Sequence, residues 1–125
     1  MAEGPPPPQG ARWVEIEGGP PPPGAMRGLT VGGLRVLVCR TESAVHALVD
    51  RCPHGLVRLS GGTLRGFVVE CPLHGGRIDV RDGAPVALPV RKAAAVLPVD
   101  ERDGVLRIAV PEGTARRGEE DPCTT

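Results

Sequence analysis

Cys52-Pro53-His54, then positions 55 to 70, then Cys71-Pro72-Leu73-His74 is the stretch around which the rest of the chain is read. Each half offers one thiolate and one imidazole, spaced as C-x-H and C-x-x-H. Two loops brought together would present two sulfurs and two nitrogens. That is the donor set of a 2Fe-2S cluster in which two histidines replace two cysteines on one iron. A structural zinc ion also accepts two cysteines and two histidines, but zinc loops normally pair like with like, as C-x₂₋₄-C and H-x₃₋₅-H. The mixing of sulfur and nitrogen within each half favours the cluster over zinc.

Working outward from the loops, the flanking segments are short and strand-like. Phe67 to Glu70 and Arg77 to Val80 abut the second pair of ligands, and Leu34 to Arg40 and Ala44 to Val49 precede the first. The polar Thr41-Glu42-Ser43 joins the latter two as a hairpin. A second hairpin is expected where Val96 to Val99 and Val105 to Val110 flank Asp103-Gly104, because glycine readily supplies the positive φ of a tight turn. Arg91 to Ala95 has good intrinsic helix propensity, which tertiary pairing can override. No segment carries a convincing helical period, and the candidate ligands sit at strand ends.

The composition agrees with an all-β fold. The chain has 125 residues, one Trp, one Phe, 18 Gly and 15 Pro, so its core is aliphatic and often interrupted by turns. Fifteen basic residues balance fifteen acidic ones, which argues against nucleic acid as a partner. No apolar run approaches the roughly 18 residues of a membrane span, and the N-terminus lacks the basic and apolar regions of a secretory signal. The expected location is the cytoplasm, where four cysteines are ligands or free thiols rather than disulfides. Residues 1–24 read as a proline-rich flexible segment with one short strand near 12–16, residues 12–110 as the folded domain, and residues 111–125 as a disordered charged tail. Cys39 reads as a small buried hydrophobe, Cys123 as an unpaired thiol in the tail, and His46 as a strand residue outside the ligand set.

The motif and its flanks resemble the Rieske family, and within it the small ferredoxins of aromatic-ring and related oxygenases. The likeness runs through Leu59-Ser60-Gly61-Gly62-Thr63-Leu64, Val68 to Gly75, Ile78-Asp79-Val80-Arg81-Asp82-Gly83 and Leu88-Pro89. It implies an antiparallel β-sandwich with a small cluster-binding subdomain at about residues 50 to 85. It also implies one 2Fe-2S cluster, with Cys52 and Cys71 on the inner iron and His54 and His74 on the outer iron near the surface. The implied role is one-electron transfer from a flavin-dependent NAD(P)H reductase to a terminal oxygenase, with no substrate transformed. Arg51, Arg58, Arg77 and Arg81 flank the loops and would form a docking rim for an acidic partner.

Departures from the respiratory branch of the family are informative. That branch has an extra, disulfide-linked cysteine in each loop, at positions matching Val57 and Leu73, and places a serine and a tyrosine where this chain has Gly76 and Ile78. Fewer hydrogen bonds to the sulfurs imply a potential toward the roughly −150 mV end of the Rieske range. Three alternatives remain open at this point: a zinc site, a Rieske-like fold without its cluster acting as an interaction module, and a subunit of a larger redox enzyme. The chain is not expected to be a whole oxygenase. A mononuclear iron triad would need two further histidines, and only His46 is left.

Overall fold

The computed structural model describes residues 6–42, 44–52, 57–72, 75–88 and 92–112. Within them the chain forms eleven strands and a single 3₁₀ turn, Leu59–Gly61. The strands are β1 (Ala11–Glu15), β2 (Met26–Val31), β3 (Leu34–Arg40), β4 (Val45–Val49), β5 (Thr63–Arg65), β6 (Val68–Glu70), β7 (Arg77–Asp79), β8 (Pro85–Ala87), β9 (Val96–Leu97), β10 (Val99–Arg102) and β11 (Val105–Pro111). All pairings are antiparallel, in three sheets ordered β1-β11-β10, β2-β3-β4-β9 and β5-β6-β7-β8. The all-β expectation holds.

The β2-β3-β4-β9 sheet is the middle layer, and strand β3 shows why. Side chains alternate across a strand, and here both faces are covered. Val36 and Val38 join Leu106, Ile108 and Val110 of β11 in one apolar cluster. Leu37 and Cys39 join Leu59 of the 3₁₀ turn and Val69 and Ile78 of the small β5-to-β8 unit in the other. A strand buried on both sides reads as a continuous apolar run rather than an alternating one, as Leu34-Arg35-Val36-Leu37-Val38-Cys39 largely does. Each fully buried Val or Leu contributes about 1.5–3 kcal/mol relative to exposure.

Two hairpins are made by two-residue turns with both φ angles positive. Asp103 (φ 52°) and Gly104 (φ 79°) join β10 to β11, as the Asp-Gly pair predicts. Gly32 (φ 58°) and Gly33 (φ 87°) join β2 to β3, a hairpin the sequence reading does not contain. The expected strand over Val96 to Val99 is divided at Pro98. Val96 and Leu97 pair with β4, whereas Val99–Arg102 pairs with β11. Proline has no N–H to donate to a ladder, and the chain changes sheets there. Lys92 to Ala95 is not helical, because its backbone bonds outward: Ala94 N–H donates to Gly83 O (2.8 Å) and Ala95 O accepts from Val49 N–H (2.9 Å). In the second proline block Pro21 is buried, and the following Gly24 N–H donates to Arg40 O at 2.8 Å.

Candidate metal centre

Both cysteines of the motif are described, and they occupy equivalent positions in two similarly closed loops. After β4 the chain turns, and Cys52 N–H donates to Val57 O at 2.8 Å. After β6 it turns again, and Cys71 N–H donates to Gly76 O at 2.7 Å. In each case the thiol-bearing residue closes its loop on the carbonyl five positions ahead. His54 and His74 fall inside these two loops, at positions outside the described residues.

The described flanks of the two loops lie close together, for reasons that can be read from their pairing. The first runs through the 3₁₀ turn into Gly62 and β5, and β5 pairs with β6 so that Thr63 faces Glu70, the residue before Cys71. Gly62 makes this approach possible. A Cβ there would collide with Glu70 O and lie 3.2 Å from Pro72 Cδ. On the far side, Ile78 of β7 sits opposite Val69 of β6 and fills the interior below the loops.

Cys52 is fully buried and Cys71 is 2 % exposed. They share one apolar cluster with Leu37, Leu48, Leu59, Val69 and Ile78. Two soft sulfur donors, buried at the bases of adjacent loops, fit the thiolate half of the expected donor set. The imidazole half would come from His54 and His74. Cys39 lies in the same cluster, but among the described residues no three Cys, His, Asp or Glu side chains group as a metal site. Burial pushes its thiol up to about 12, against a small opposing effect of the His46 backbone.

His46 lies in β4 opposite Cys39. It lines a groove of about 400 Å³ together with Val80, Arg81, Val96 and Pro98. Its Nε2 is buried without a hydrogen-bond partner. Burial lowers its pKa and outweighs the nearby Asp79 carboxylate; Arg81 lowers it further. Asp79 is held below the ordinary carboxylate value chiefly by hydrogen bonds from Arg81, whose Nη2, N–H and Nε reach it at 2.8, 2.9 and 3.0 Å. Arg81 also covers the Phe67 ring at 3.7 Å from its centroid. Of the arginines expected as a rim, Arg58, Arg77 and Arg81 are exposed and Arg51 is half-buried.

The sequence reading missed a group beside the first loop. Asp50, fully buried two residues before Cys52, accepts hydrogen bonds from Ser60 N–H (2.8 Å), Ser60 Oγ (2.7 Å) and Arg35 Nε (3.3 Å). The available signal was an acidic residue placed directly between the end of a strand and a candidate ligand cysteine.

Comparison with known proteins agrees with this geometry. The family model of the Rieske [2Fe-2S] domain matches residues 17–100. Ferredoxin CarAc of Metapseudomonas resinovorans is 38 % identical over 79 residues, covering 63 % of this chain and 74 % of that protein. The anthranilate 1,2-dioxygenase ferredoxin subunit of Burkholderia cepacia is 40 % identical over 75 residues, covering 60 % and 69 %. Among solved structures, a complex of reduced oxygenase and oxidized ferredoxin in carbazole 1,9a-dioxygenase superposes with a TM-score of 0.71 at 34 % identity, covering 78 % of this chain and 92 % of the matched chain. With its Rieske model match spanning most of the chain and its relatives named as ferredoxins, this chain belongs to the Rieske [2Fe-2S] domain family, as an electron carrier of the ferredoxin type with one 2Fe-2S cluster.

Proposed function

We propose that the chain holds its cluster through Cys52, His54, Cys71 and His74, and carries single electrons from a flavin-dependent NAD(P)H reductase to a terminal oxygenase in the cytoplasm. The observation that carries the ligand assignment is the matched pair of loops. Each is closed by the N–H of a buried cysteine, and each contains one histidine. The cluster supplies reversible one-electron chemistry when bound. The chain's own contribution is to bury the two thiols among Leu37, Leu48, Leu59, Val69 and Ile78, which excludes water from that side. The resemblance implies that the histidine side would face outward. The oxygenase as recipient is supported by the similarity to the ferredoxin-oxygenase complex.

At the position where high-potential relatives place a tyrosine stands Ile78, fully buried and apolar, and Gly76 has no side chain to donate. With no hydroxyl offered to the sulfurs from these two sites, we place the potential near the low end of the family range, roughly −150 mV. The testing experiment is EPR of the dithionite-reduced protein. A rhombic signal with average g well below that of all-cysteine clusters is expected, and a silent sample with stoichiometric zinc refutes the reading. His74→Cys should lower the potential of the retained cluster, because it adds a negative charge at the outer iron. An unchanged potential contradicts the role given to His74.

A further inference from the structure

The neck of the first ligand loop is tied by a buried carboxylate to which the electron-transfer reading gives no role. Asp50 N–H donates to Arg35 O at 3.0 Å, which fixes its backbone to β3. Its side chain then reaches across the loop to Ser60, with one oxygen on the Ser60 N–H (2.8 Å) and the other on the Ser60 hydroxyl (2.7 Å) and Arg35 Nε (3.3 Å). Residues 50 and 60 flank the loop that Cys52 and Val57 close. From Ser60 the chain needs only two more residues to reach Gly62, whose backbone lies against Glu70 and Pro72 on either side of Cys71. One carboxylate thus connects the start of the first loop with the base of the second.

This arrangement is built rather than incidental. The three polar side chains pack on the backbone of β2 where Gly28 stands. A Cβ at Gly28 would lie 2.6 Å from Ser60 Oγ, 2.8 Å from Arg35 Nη2 and 2.8 Å from Asp50 Oδ2. A buried ion pair is a weak source of net stability, because desolvation opposes the attraction and well-packed apolar residues often serve as well. What it adds over apolar packing is direction. Hydrogen bonds fix Ser60 relative to Asp50 in angle as well as distance.

We propose that Asp50 is a positioning residue for the cluster, setting the spacing of the two cysteine loops through Ser60 and placing a negative charge two residues before Cys52. The inference rests on Cys52 and Cys71 being ligands. Groups that orient metal ligands commonly change metal retention by about 10- to 100-fold when removed.

The test uses the full chain loaded with its cluster, comparing wild type with Asp50→Asn, Ser60→Ala and the double variant. Asp100→Asn, whose carboxylate pairs with Arg102 in β10 of another sheet, serves as the control. Three quantities are read: the rate of iron loss to a chelator without oxygen, the EPR line shape of the reduced cluster, and the midpoint potential. Each single variant should lose iron about tenfold faster than wild type, and the double variant no faster than the faster single, since both act through one contact. Both should change the EPR anisotropy, and Asp50→Asn should also raise the potential. If Asp50→Asn does not fold, Ser60→Ala, which keeps the buried charge and its Arg35 partner, carries the test through its EPR signal. Wild-type line shape and potential in the loaded variants, even with faster iron loss, would reduce the network to fold support and overturn the inference. A wild-type chain that takes up no cluster would instead overturn the ligand reading.

Discussion

Replacing Gly62 by alanine puts a methyl group where the second ligand loop already lies. The new Cβ would overlap Glu70 O, come 3.0 Å from Glu70 C and 3.2 Å from Pro72 Cδ. The obstacle is backbone, held in a ladder with β5 and β7, so no side-chain rotation relieves it. Gly62 itself has φ −94°, outside the left-handed region, so the penalty is steric. Two neighbouring glycines separate the possible causes. At Gly61 a Cβ meets nothing nearer than Pro72 Cγ at 3.8 Å, an ordinary contact, and Gly61→Ala should change stability by less than about 0.5 kcal/mol. At Gly66 a Cβ meets open space, but φ is +62°, so Gly66→Ala should cost about 1–2 kcal/mol from backbone strain alone. Overpacking costs typically 1–3 kcal/mol and more where the neighbour cannot move, so Gly62→Ala should cost about 3 kcal/mol. In a domain of this size that corresponds to a melting temperature lowered by roughly 12–24 °C. Urea unfolding followed by circular dichroism measures the order, and iron content per chain should fall with Gly62→Ala alone. If Gly62→Ala proves no more costly than Gly66→Ala, the close approach of the two loops is not as described.

Other expectations follow from single residues. Cys39, with its thiol pushed up to about 12 by burial, stays protonated near neutral pH, so alkylation of the native protein should leave it unlabelled while unfolded protein is labelled there by peptide mapping. In the same samples Cys39→Ala should retain the cluster, and Cys52→Ser or Cys71→Ser should lose it; iron loss in Cys39→Ala would bring Cys39 into the site. His46 is a base whose pKa is lowered in the fold, so the unfolded chain binds the extra proton more readily. The folded state should therefore lose stability as pH falls below the ordinary histidine value of about 6.5. His46→Gln should flatten the profile in that window, measured as urea midpoints from pH 7 to pH 5, and an unaltered slope would count against burial as the cause.

Much of the fold, and the proposed ligand set, can be read directly from residue order. The C-x-H and C-x-x-H spacing carries its own chemistry, because sulfur and nitrogen donors at fixed separations define a ligand set whatever the fold around them. Asp103-Gly104 likewise specifies its turn locally, since both positive φ angles are backbone preferences of the residues concerned. Strands β3 and β4 follow from dense β-branched and aliphatic runs.

What only the tertiary structure decided is everything that depends on a distant partner. Lys92 to Ala95 gives up its helical preference because Gly83 and Val49 hold its backbone. The strand expected over Val96 to Val99 splits at Pro98 because two different sheets offer partners on either side. β2 escapes notice because Gly28 breaks its apolar pattern, and that glycine is needed only because Ser60, Arg35 and Asp50 converge on it from three separate segments. Local preference is written in neighbouring residues, whereas the closeness of position 62 to position 70, or of 50 to 60, exists only once the sheets have packed.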